Sequence, residues 1–141
     1  MKWRNLLFIT SVVCTAMTVA HAEVAVIVHP SATFADMSED EISRLFLGKA
    51  KNFPNGEPAI PINQDEGSAT RDKFNDGVVK KNAAQLKAYW SQLVFTGKGT
   101  PPKDVGKDTD VKKLVSSNPN MVGYVDASLV DGSVKVVFKS P

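Results

Sequence analysis

The stretch EVAVIVHP (23–30) is the strongest constraint on what this chain can fold into. Residues 24–28 are apolar throughout and mostly β-branched, with no polar alternation. Such a run suits a strand buried on both faces, so the fold must supply cover above and below it. Pro30 ends the run. The remaining sequence offers that cover. MSEDEISRLFLGK (37–49) predicts an amphipathic helix, with Ser38 and Glu41 as a capping box and Met37 and Ile42 as a hydrophobic staple. Asp40 and Glu41 suit its first turn, Ile42, Leu45 and Phe46 form one apolar stripe, and Gly48 is placed to end it.

Further along, NFPNGEP (52–58) reads as a turn and AIPIN (59–63) as a short strand, which Pro61 marks as an edge or an irregular ladder. Residues 71–79 predict a helix with Phe74 and Val78 inward, broken or shortened by Asn75-Asp76-Gly77. NAAQLKAYWSQLVF (82–95) predicts another, capped by Asn82 and Gln85. Its stripe of Leu86, Tyr89, Trp90, Leu93 and Val94 is expected to face the core rather than a ligand. A Gly/Pro loop covers 96–103, a short helix 110–117, and strands 121–125 and 134–138, the last after an Asp131-Gly132 turn. Strands and helices alternate. The expected fold class is α/β, with helices flanking a mostly parallel sheet.

Residues 1–22 read as a secretory signal peptide: Lys2 and Arg4, an uncharged apolar stretch 6–19, then Ala20-His21-Ala22 before the expected cut at Glu23. Cys14 follows Val13, a poor setting for lipidation, and falls in the discarded segment. The mature chain, 23–141, is expected to be one periplasmic domain without cysteine. The full chain has 17 basic and 15 acidic residues. Loss of Lys2 and Arg4 makes the two equal, which argues against nucleic acid or an anionic membrane as partner. No membrane insertion is expected after signal cleavage.

Catalytic and metal-binding groups are scarce. His21 lies in the signal, and His29 stands alone at a strand end, where a structural role is expected. No transition-metal site, no other cofactor and no enzyme activity are expected. Paired acids such as Asp65-Glu66 read as surface charges. The suggestive segment is NQDEGSATRDKF (63–74). Gly67 lets the chain turn, Ser68 can cap the next helix, and the N–H groups of 69–71 would then face outward, with Ser68 and Thr70 hydroxyls beside them. One reading is an anion cradle at a helix N-terminus, the other an ordinary capped turn.

Four segments together resemble one family. VAVIVHP (24–30), MSEDEISRLFLGKAKNFPNG (37–56), GSATRDKF (67–74) and NPNMVGYVDASLV (118–130) resemble, in order, pieces of the second lobe of PstS-like phosphate-binding proteins of ABC transporters. The resemblance implies a single lobe of a type II periplasmic-binding-protein-like fold. It also implies an oxyanion ligand such as phosphate, held by Ser68, Ala69 and Thr70 after a turn shaped by Gly67. Gln64 stands where the family has a phosphate-clamping Arg, and Ala69 replaces the loop's middle Gly. Arg71 is expected either to compensate or to pair with Asp65 or Glu66. With the first lobe absent, an open site binding phosphate weakly is expected. The alternative is an envelope adaptor that keeps the fold, has lost the ligand and docks on another envelope protein. A homodimer that rebuilds a cleft is a third option.

Overall fold

The computed structural model describes residues 23–140. The segment 1–22, with Cys14 and His21, lies outside them. The chain runs β1 (Val24–Val28), α1 (Glu39–Phe46), β2 (Ile60–Asn63), α2 (Ala69–Phe74), a π-helical turn (Asn75–Val79), α3 (Ala83–Phe95), β3 (Lys103–Asp104), α4 (Asp108–Ser117), β4 (Met121–Asp126), a 3-10 turn (Ala127–Leu129) and β5 (Lys135–Ser140). One five-stranded sheet results, in the order β3-β2-β4-β1-β5.

β1 is covered on both sides, as its composition requires. Every one of its residues is buried. Val24, Val26 and Val28 face a cluster containing Ile42, Leu45 and Phe46 of α1 and Phe74 of α2. Ala25 and Ile27 face the opposite way, onto Val111 and Val115 of α4. The period of two along a strand sorts one apolar run into two half-cores. Among the described residues no helix is long and apolar enough to cross a membrane.

The α/β architecture is as expected, but the sheet is mixed rather than mostly parallel. β2 runs parallel to β3 and β4, whereas β1 runs antiparallel to both its neighbours, β4 and β5. A strand buried on both faces reads as apolar whichever way its neighbours run, so its composition carries no direction. β3 also had no signal, being two residues where the Gly/Pro loop ends. Pro61 is tolerated because β3 joins β2 only from Ile62 onward, leaving the β3 side of Pro61 without a ladder partner.

Local signals act where they were read. The Ser38 hydroxyl accepts from the Glu41 N–H at 3.1 Å, and the Glu41 carboxylate accepts from the Ser38 N–H at 2.8 Å. Met37 and Ile42 are both buried beneath that cap. Gly48 takes φ +71° just past the helix, a conformation that favours glycine. The segment 71–79 is helical but changes pitch at Asn75, and its π-helical turn ends on Lys80 at φ 60°. Phe74 and Val78 point inward as expected.

Register places both ends of the described chain together. Val24 pairs with Asp126 on one side and Ser140 on the other, at the end of the sheet where β2 and β4 finish. That end carries the candidate site.

Gly123 of β4 sets how closely α4 approaches the sheet. A Cβ there would come within 2.5 Å of Val111 Cγ1 and 3.2 Å of Ile62 Cγ1. Gly123→Ala is therefore expected to lower unfolding free energy by about 1–3 kcal/mol through overpacking. Adding Val111→Ala should recover part of that loss. Urea denaturation of the three variants checks it; a harmless Gly123→Ala would mean that α4 is not held against β4 as described.

Candidate functional site

The site begins where β2 ends. Asn63 closes the strand, Gln64 follows fully buried, and the chain then reverses through Asp65–Gly67. The reversal is fixed on three sides. Asp65 N–H donates to Gly106 O at 2.8 Å, Ser68 N–H donates to Asp65 O at 3.2 Å, and Gly67 takes φ +84°. Ser68 then caps α2: its hydroxyl oxygen accepts from the Arg71 N–H at 3.2 Å.

Gln64 uses all of its polar groups. Its side-chain amide nitrogen donates to Asp108 Oδ1 at 3.0 Å and to Tyr124 O at 2.9 Å. Its side-chain oxygen accepts from the Ser68 hydroxyl. Its N–H donates to Tyr124 Oη at 3.2 Å, and its backbone oxygen accepts from Arg71 NH1 at 2.6 Å. Tyr124 Oη in turn donates to Asn63 Oδ1, while its ring stacks on Phe74 with centroids 4.0 Å apart. Burial pushes the Tyr124 phenol well above its ordinary pKa, so it stays a neutral donor.

Two carboxylates face these donors. Asp108, the first residue of α4, accepts from Gln64 and also from the Asp126 N–H at 2.8 Å. Its second oxygen accepts a long bond, 3.4 Å, from the Thr70 hydroxyl. Asp104 at the end of β3 accepts from Arg71 NH1 at 3.1 Å. Arg71 thus pairs with neither Asp65 nor Glu66. Those acids are near it in sequence but sit on the exposed turn, while β3 brings Asp104 alongside β2.

Gln64, Ser68, Thr70 and Arg71 are therefore brought together, and Gly67 and Ala69 lie on the exposed rim. Among the described residues the N–H groups of Ala69 and Thr70 find no acceptor, while those of Ser68, Arg71 and Asp72 do. His29 is elsewhere: its Nδ1 is 2.7 Å from the Ser31 hydroxyl, with no acid in contact. Asp104, Asp108 and Tyr124 escaped the reading of the sequence. Asp108 looks like a first-turn helix acid, and only the pairing of β2 with β4 brings Gln64 beside it.

A groove of about 1230 Å³ opens next to this network. Arg71 and Asp104 line one part of it, and Trp90, Val94, Phe95 and Pro101 another. The stripe on α3 meets the expectation in part: Leu86 and Tyr89 pack against the core cluster, while Val94 at its far end does not. None of its residues is buried: Leu86, Tyr89, Trp90 and Leu93 are half-covered, and Val94 is exposed.

This architecture has known counterparts. A structure from Clostridium perfringens with bound phosphate, provisionally described as a phosphate ABC transporter substrate-binding protein, is 27% identical, with a TM-score of 0.62 over 82% of this chain. An ABC-type phosphate transport receptor from Vibrio cholerae is 17% identical with a TM-score of 0.64, and PstS from Borrelia burgdorferi 15% identical with 0.60, each again over 82% of this chain. The structure is a PstS-like lobe. It spans under half of those proteins, 45%, 46% and 47% of their respective lengths. No family model matches the sequence, and no curated protein matches it. Val24 of the PstS-like lobe, which pairs with Asp126 and Ser140, comes out beside the network just described, since the Asp126 N–H donates to Asp108.

Gln64→Leu keeps the volume but leaves Asp108, Tyr124 O and Ser68 short of a partner inside the lobe. It is expected to cost roughly 1–3 kcal/mol of stability, as buried polar groups lose their bonds. Ser68→Ala removes one cap and should cost about 1 kcal/mol. Thermal and urea unfolding measure both; equal, negligible losses would show that the Gln64 network does not hold the site together.

Proposed function

We propose that the protein is an exported, non-enzymatic PstS-like lobe that has exchanged its oxyanion for its own carboxylates and acts by docking on a partner. Export rests on the N-terminal segment, with cleavage before Glu23 and a periplasmic destination, and the domain is then 23–141. The observation that carries the docking reading is the commitment of the loop's donors. Gln64, Ser68, Thr70 and Arg71 all bond to groups of the lobe itself, with Asp108 and Asp104 supplying the negative charge. An incoming phosphate would meet both carboxylates and would have to displace them. It would also bind on an open face, where hydrogen bonds must compete with water.

A second reading keeps a weak oxyanion site at the same loop, with Gly67, Ser68, Ala69, Thr70 and Arg71 around it and Gln64 beneath. It is favoured by the free N–H groups of Ala69 and Thr70, and by the phosphate bound in the Clostridium perfringens relative.

Calorimetry separates the two. The docking reading expects no heat from wild type with millimolar phosphate, sulfate or arsenate. Asp104→Asn is then informative, because the Arg71–Asp104 pair is partly exposed and worth under about 1 kcal/mol to the fold. Its loss frees the guanidinium, and phosphate heat should appear in the millimolar range. Saturable binding by wild type at millimolar phosphate or below, lost in Thr70→Val, would establish the second reading instead.

A further inference from the structure

We propose that the groove beside α3 receives a second copy of this chain, with Phe95 of each copy seated in the groove of the other. The proposal rests on the docking reading above and names the partner.

The first observation is how little of α3 the lobe covers. Tyr89 Oη donates to Leu47 O at 2.6 Å, and Trp90 lies over Gly48. Those contacts hold one side of the helix. Beyond them Val94 is 51% exposed and Phe95 92% exposed. A helix of thirteen residues is marginal in water without packing. Here its last apolar turn is only partly covered by its own chain, with Leu93 half-covered and Phe95 almost wholly exposed.

The second observation is that knob and hole share one face. Phe95 stands on the rim of the groove that Trp90, Pro101 and Pro102 help to line. A two-fold axis needs one patch that complements itself, so that each contact is made twice. A projecting ring next to a hollow of aromatic and proline surface meets that condition.

The third observation is charge. Glu66 and Asp72 line the groove together with Lys87 and Lys103, and none of the four makes an ion pair among the described residues. Two unpaired charges of each sign, beside the paired Arg71 and Asp104, suit a copy of the same patch. A differently charged partner would select for a face of one sign.

Sedimentation velocity on the purified protein, from low to several hundred micromolar, tests the proposal. The expected result is a concentration-dependent rise to twice the monomer mass. Phe95→Glu should raise the dissociation constant about tenfold or more, as loss of a central aromatic anchor does. Its circular dichroism should be unchanged, because the ring contributes nothing to the monomer core. Wild type mixed with Phe95→Glu keeps one of the two seats and should associate with intermediate strength. A wild type that stays monomeric, or a dimer indifferent to Phe95→Glu, overturns the proposal. A monomer that instead takes up an apolar dye with a change in Trp90 emission assigns the groove to a small apolar ligand and also overturns it. A monomer silent to phosphate leaves the docking reading standing without self-association. A dimer sensitive to Phe95→Glu that binds phosphate at millimolar concentration or below keeps the dimer and removes the docking reading.

Discussion

The buried amide of Gln64 joins more of this molecule than any other single group near the site. It follows β2 directly and bonds to β4 through Tyr124 O, to α4 through Asp108, and to the cap of α2 through Ser68. A buried amide with an unmet donor or acceptor is costly, so the four elements must meet in one arrangement to satisfy it. An apolar residue at position 64 would make no such demand. Relative placement of α2 and α4 would then depend on less directional packing, and the turn at Gly67 would be free to shift.

That same amide decides the electrostatics of the loop. A guanidinium at this position would add a positive charge beneath the loop and favour an anion above it. The neutral amide gives donors without charge, and those donors point at Asp108. Asp104 performs the matching role for Arg71, the one cation in the loop that touches the network. The residues that would greet an oxyanion are therefore present, but the lobe meets their demand internally. Only backbone N–H groups on the rim are left over. The likeness to phosphate-binding proteins is one of overall fold, and the side-chain donors of this loop bond within the lobe.

Much of the architecture was legible because it depends on short-range rules. Ser38 with Glu41, Asn82 with Gln85, and Gly48 act within a few residues, and the structure shows each doing so. The run in β1 announced burial on both faces because no polar side chain interrupts it. Strand direction was not legible, since apolar character has no polarity along the chain. The site was half legible. Gly67, Ser68 and Thr70 are neighbours in sequence, whereas Asp108 meets Gln64 across 44 positions through the register of the sheet. Arg71 illustrates the same limit: Asp65 and Glu66 were the obvious partners by proximity, and a two-residue strand brought Asp104 in ahead of them.

The stripe on α3 held as a core signal only in part, for a different reason. Helical spacing of apolar residues states that one face avoids water, but not what covers that face. Upstream, the Asn75-Asp76-Gly77 segment widens into a π-helical turn, and Lys80 takes a left-handed conformation before Asn82 restarts the helix. Those two local departures separate α3 from α2, so that the two do not form one continuous helix. Tyr89 and Trp90 then reach back to the end of α1, and the distal turn overhangs the groove. Positive φ at a lysine is uncommon, since only glycine adopts it without steric cost. A chain that merely needed another core helix could have continued α2 without it. The backbone at Lys80 thus holds an apolar helix in a position where its own lobe leaves it incompletely covered, and that position makes sense when a second surface completes the packing.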